Sequence, residues 1–151
     1  VVDGRDPDQE RCHVRSAGAG WCADPVETQA EILIKKGVTF APLAPAGAQI
    51  LSKLKQIVDR YDFDVTITSG NDGTHSGPKD PHHSGEAFDL RTNTLTKTQK
   101  QALLDDLKAT LYKPDRRFYV FLERPGKPGE HIHVQRRAGT TYDFYDFLAD
   151  L

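Results

Sequence analysis

A chain of 151 residues, 37% hydrophobic and 28% charged, is long enough for one domain around one modest core. Its formal net charge of −2, with acids and bases interspersed, leaves no basic face and argues against a nucleic-acid partner. No apolar run approaches the roughly 20 residues of a membrane span, and no repeat or low-complexity tract interrupts the chain.

The chain opens VVDGRDPDQ, without an initiator Met or an apolar signal region, as expected of a processed product or of a segment that begins mid-chain. Residues 1–28 are polar, rich in Asp, Gly, Arg and Ala, and read as an N-terminal arm ahead of a domain over 29–151. Cys12 and Cys22 are the only cysteines. A bridge between them would close a short loop and suit an exported protein, and two free thiols in the arm fit equally well. Their spacing is too wide for a finger-type zinc pair.

EILIKKGVTFAPL (31–43) alternates weakly around Gly37 and predicts one or two short strands or a packed loop. Ile50, Leu51, Leu54, Ile57 and Val58 then share one helical face, with Pro45 and Gly47 at its start. Phe63, Val65 and Ile67 alternate with polar residues, which predicts a strand ending at Gly70. NDGTHSGPKDPHHSG (71–85) is loop by composition. EAFDLRT (86–92) reads as a strand with Phe88 and Leu90 on one face and Ala87, Asp89 and Arg91 on the other. Thr96 and Gln99 have capping-box spacing, and Leu103, Leu107 and Leu111 recur every four residues, so 96–112 is a second helix. RRFYVFLER (116–124), the turn PGKPG and EHIHVQRR (130–137) read as a hairpin. YDFYDFLADL closes the chain as a short helix. Helices and antiparallel-looking strands without regular βαβ alternation indicate an α+β domain: a small antiparallel sheet with packed helices.

The chemistry concentrates in two stretches. In DPHHSGEAFDL, His82 and Asp89 lie seven residues apart across a loop-to-strand transition, with the small Gly85 and Ala87 between them. Gly85 permits a close backbone approach to a site there. In GEHIHVQ, His131 and His133 share a strand face and Glu130 sits at the turn edge. Two histidines and an aspartate (His82, Asp89, His133) make the three-ligand pattern of a catalytic zinc that keeps a fourth position for water. Glu130, three residues before His133, is then near enough to act as general base on that water. The bland reading of each residue alone is a solvated loop His, a strand-end carboxylate or an exposed strand face.

HHSGEAFDL matches His-x-x-Gly-x-Ala-x-Asp at His82, Gly85, Ala87 and Asp89. EHIH matches a later Glu-x-x-His at Glu130 and His133, with a His-x-His at His131 and His133, and TITSGNDG is similar to a strand ending in Ser-Gly at Ser69. Over roughly residues 45–137 the chain thus resembles the zinc D-Ala-D-Ala carboxypeptidase and L-alanyl-D-glutamate endopeptidase family, with its hedgehog/DD-peptidase fold. The resemblance implies His82, Asp89 and His133 as zinc ligands, Glu130 as catalytic base, and peptidoglycan peptides cut near a D-amino acid as substrates. His83 is set aside because it would leave the Gly, Ala and Asp spacings one short.

Two departures from the family pattern matter. No Arg follows Ser69-Gly70, where the family often has one to stabilise the tetrahedral intermediate, and His75 or Arg91 is left as the candidate for that role. Asp80 stands where a Ser is common, either orienting His82 as a hydrogen-bond acceptor or starting a turn before Pro81. His131 is expected beside the ligands or facing substrate. The expected protein is a monomeric, lysin-like zinc endopeptidase, extracellular, periplasmic or phage-encoded, without a membrane span. One alternative is a carboxypeptidase or dipeptidase holding a free carboxylate with Arg91, Arg116 or Arg117. The other is a non-catalytic, zinc-containing wall-binding module.

Overall fold

The computed structural model describes residues 29–72 and 80–151. The arm with its two cysteines and the loop residue His75 lie outside them. In chain order the elements are β1 (Ile32–Ile34), α1 (Pro45–Val58), β2 (Val65–Ser69), β3 (Ala87–Arg91), α2 (Lys97–Leu107), β4 (Phe118–Glu123), β5 (His131–Arg136) and α3 (Phe144–Ala149). No described helix is long and apolar enough to cross a membrane.

The helices begin where their local chemistry satisfies free backbone groups. Pro45 occupies the first turn of α1, where a missing N–H costs nothing. At α2 the Thr96 hydroxyl accepts from Gln99 N at 3.1 Å, and the Gln99 side chain accepts from Thr96 N at 2.9 Å. Asp143 and Asp146 make the same reciprocal cap on α3. The periodicity of 96–112 predicts one continuous helix, whereas the last turn, Lys108–Tyr112, widens: Lys113 N donates five residues back to Lys108 O at 2.8 Å. That turn still delivers Leu111 to the core.

The strands form one five-stranded sheet in the order β1-β2-β3-β5-β4. It is mixed, where an antiparallel sheet was expected, because β1 pairs parallel with β2 (Ile32↔Val65). Parallel neighbours need a long crossover, and residues 35–64, with α1 among them, provide it. The other three pairings are antiparallel. The β4–β5 hairpin folds back so that β5, not β4, lies next to β3, placing His131 and His133 in mid-sheet.

Strand alternation divides the sheet into two faces. Val65, Ile67, Phe88, Leu90, Phe118, Val120, Ile132 and Val134 are buried in one core with Ile50, Leu54, Ile57, Leu103, Leu107 and Leu111 of the helices. The opposite face carries Asp89, Arg91, His131, His133, Gln135, Phe121 and Glu123, as period-2 geometry requires.

Candidate metal centre

Cross-strand register assembles most of the site. Asp89 on β3 stands opposite His133 on β5, which stands opposite Phe121 on β4. One step along, Arg91, His131 and Glu123 form a second row. Directly opposed residues on one face are close enough to interact, and these do: His133 Nδ1 lies 2.8 Å from Asp89 Oδ1, and His131 Nε2 lies 2.5 Å from Glu123 Oε1. The Phe121 ring packs beside His133, with centroids 5.1 Å apart.

His82 arrives from the turn before β3. Its backbone N–H donates to Asp80 Oδ1 at 2.8 Å, and Gly85 N and Glu86 N close the turn onto His82 O and Pro81 O. Gly85 has φ 75°, and a Cβ there would fall 2.1 Å from Pro42 O. The close approach expected of Gly85 is therefore to the Pro42–Leu43 segment and the start of α1, where a Cβ on Gly47 would meet Gly85 O at 1.8 Å. Glu86 pairs with Arg136, which ties the turn to the end of β5. His82 is 3% exposed, and its Nε2 reaches Asp89 Oδ1 at 3.4 Å.

Each ring has one nitrogen anchored outside the cluster and one facing in. His82 Nδ1 donates to Gly70 O (3.0 Å), and His131 Nδ1 to Gly129 O (2.8 Å). His133 Nε2 donates to Gln135 Oε1 (2.6 Å), and the Gln135 amide group is oriented by donating to Arg136 O. A carbonyl oxygen only accepts, so the outer nitrogens carry the hydrogens and the inner ones of the neutral rings are lone pairs. Those lone pairs face carboxylate oxygens. Such an arrangement calls for a proton or a cation between them.

Burial alone would raise the Asp89 carboxyl, but hydrogen bonds from His133 and His82 and the charges of His82 and His131 hold it well below the usual range. Burial likewise depresses His133, and its hydrogen bonds to the accepting oxygens of Asp89 and Gln135 more than reverse it, so its pKa is raised.

The donor set fits a metal ion. Ligand atoms of Asp89, Glu123, His131 and His133 lie within 4.8 Å of one another, and these four can hold a cation. Ligands around a tetrahedral zinc sit about 3.3 Å apart. The spacings are 3.4 Å for His82–Asp89, 3.6 Å for His131–Asp89 and 3.9 Å for His133–Glu123. The 2.8 Å Asp89–His133 pair and the 2.5 Å His131–Glu123 pair would have to open for all four to ligate one ion. Mixed imidazole and carboxylate donors suit zinc and several other divalent ions, and anchored outer nitrogens are the usual support for ligating histidines.

The structure brings together His82, Asp89, His131 and His133. It does not bring Glu130 with them. Residue 130 precedes β5 with the parity of the core-facing Ile132, and its carboxylate accepts from Thr92 Oγ1 (2.6 Å), Gly126 N (2.8 Å) and Lys100 Nζ (3.0 Å). The Thr92, Gly126 and Lys100 bonds, in that order, lower its pKa to about 2. Glu123 is the carboxylate that faces the histidines. Strand alternation over 118–123 groups it with Phe121, but the long turn that follows leaves its register with His131 open in the sequence.

Ser69 ends β2 opposite Asp89 across an irregularity in the ladder. The adjoining Gly70 carbonyl, overlooked in the sequence, is what orients His82. Asp80 starts the turn by capping the His82 backbone. Arg116 and Arg117 are engaged elsewhere, with Tyr112 and with Asp115 and Asp146.

Beside the cluster runs an open groove of about 570 Å³, lined by Lys35, Asp89, Arg91, Asn93, Lys127 and His131 among others. Comparisons with protein-family models, curated proteins and solved structures return no match to this chain.

Proposed function

We propose that the chain is a zinc-dependent peptidase that hydrolyses amide bonds in peptidoglycan stem peptides, an endopeptidase of the L-Ala–D-Glu type, with His82, Asp89 and His133 as zinc ligands. The observation that carries this reading is the convergence of His82 Nε2 and His133 Nδ1 on Asp89 Oδ1, with both outer nitrogens anchored. The substrate class rests on the resemblance of the two motifs, and a groove beside the cluster provides room for a peptide.

A zinc ion held there would supply Lewis acidity to polarise an amide carbonyl and acidify water. The chain's residues do the rest. Gly70 and Gln135 keep the two ligating rings in the tautomers that present lone pairs. His131 and Glu123, hydrogen-bonded to each other and more open to solvent than His133, take the proton from water and return it to the leaving amine. Glu130, held by Lys100, Thr92 and Gly126, supports the hairpin turn instead.

The test is digestion of purified peptidoglycan with the full chain, with and without chelator, followed by analysis of the released peptides. Chelator-sensitive release of new amino termini is expected. Tight zinc binding with no release from any wall preparation would replace the peptidase by a zinc-containing wall-binding module.

A further inference from the structure

The groove beside the cluster contains a cation that no acid among the described residues neutralises. Arg91 lies two residues after Asp89 on the same face of β3, opposite His131, and lines the groove. Among the described residues every other arginine donates a side-chain hydrogen bond: Arg60, Arg116, Arg117, Arg124, Arg136 and Arg137. Arg91 alone has no side-chain hydrogen bond and no ion pair among them. The acids that share the groove are committed, Asp89 to the histidines and Glu130 to Lys100. Lys35 and Lys127 line the same groove, so its uncommitted charge is positive.

A half-buried guanidinium beside a centre that attracts a metal cation gains nothing from its neighbours. Its planar fork matches a carboxylate, which it can bind through two parallel hydrogen bonds. We propose that Arg91 is the specificity residue of this site and binds a free carboxylate of the substrate in the groove, next to the scissile amide. This deepens the peptidase reading and rests on it for the word substrate, but not for the binding itself. The carboxylate can be a chain terminus or an acidic side group, and the experiment separates the two.

The probes are acetyl-L-Ala-D-Ala and its terminal amide, and acetyl-L-Ala-D-Glu and acetyl-L-Ala-D-Gln with both termini blocked. Binding to the zinc-loaded full chain is measured by calorimetry, and hydrolysis is followed in parallel. One acid is expected to bind about 10- to 100-fold more tightly than its own amide, the value of a charge-assisted contact. Preference within the first pair assigns a terminal carboxylate, and within the second an acidic side group. Arg91→Gln should bring the preferred ratio close to one, and Arg91→Lys should keep part of it. An unchanged melting temperature in Arg91→Gln shows that the fold is intact. Equal binding of acid and amide in both pairs, or a preference that survives in folded Arg91→Gln, overturns the proposal. Hydrolysis without acid preference would sink the Arg91 role and leave the peptidase, whereas acid preference without any hydrolysis would do the reverse.

Discussion

Asp89 is the residue on which the site turns, because three imidazole nitrogens approach its Oδ1 within 3.6 Å. Removing it leaves lone pairs facing one another with no carboxylate to share a cation. Asp89→Ala is therefore expected to take the metal content after dialysis from about one ion per chain to near zero. An unchanged content would show that Glu123 and the histidines suffice.

On the proposed peptidase reading, the two glutamates divide stability from chemistry. Glu123→Gln should lower kcat on wall peptides by about 10²–10⁴-fold, the range of general acid–base effects, while Glu130→Gln should keep most of it. The Glu130 carboxyl is held at about 2 against an ordinary 4.5, so its bonds stabilise the fold fully above pH 4.5 and that stability is lost as the pH falls towards 2. Urea midpoints at pH 6 and pH 3 check this. The gap between wild type and Glu130→Gln should narrow at the lower pH, and an equal gap at both would exclude an ionised Glu130 as its source.

At the scale of elements, the His82 turn is positioned from behind. Gly85 and Gly47 let the turn, the Pro42–Leu43 segment and the start of α1 meet backbone to backbone. A methyl group at Gly85 meets Pro42 O at 2.1 Å at a backbone angle that side chains rarely adopt. Gly85→Ala is expected to destabilise by about 2–4 kcal/mol and to weaken metal binding as His82 shifts. A melting curve and a metal titration on one sample would show both, and a stability loss with unchanged affinity would detach the turn from the site. Elsewhere the elements hold their ends locally: Thr96→Ala removes the α2 cap and should cost about 1 kcal/mol without touching the metal.

Across the whole molecule, the cluster lies on the sheet face opposite the core, joined to it through the strands and through the packing of the His82 turn on the start of α1. A cation held by His82, Asp89 and His133 would bridge β3, β5 and the His82 turn, elements that unfolding separates. Binding the native state alone raises stability by about 2.7 kcal/mol at a hundredfold excess over Kd, roughly 10 °C in melting temperature for a domain of this size. Scanning calorimetry with added zinc and with chelator measures it. No shift would place the metal outside the folded cluster. Because the core is on the other face, Leu107→Ala should lower stability by about 2–5 kcal/mol yet leave metal affinity in the folded protein unchanged.

Much of this was legible in the chain itself. Helical periodicity marked α1 and α2, period-2 alternation marked β2 and β3, and the PGKPG turn between two strand-like runs marked the hairpin, since side-chain direction and turn chemistry are set locally in each element. Strand alternation put His131 and His133 on one face, and it also gave Glu130 the opposite parity, a signal that the Glu-x-x-His spacing concealed. What the sequence could not determine is register and neighbourhood. Nothing local states that β5 lies between β3 and β4, that β1 joins in parallel, or that Glu123 stands across from His131. Those follow from which strands pair, and pairing is decided by burying one apolar face over many distant residues at once. The histidines, Asp89 and Gly85 were visible as residues; the tertiary structure alone chose Glu123, Gly70 and Gln135 as their partners.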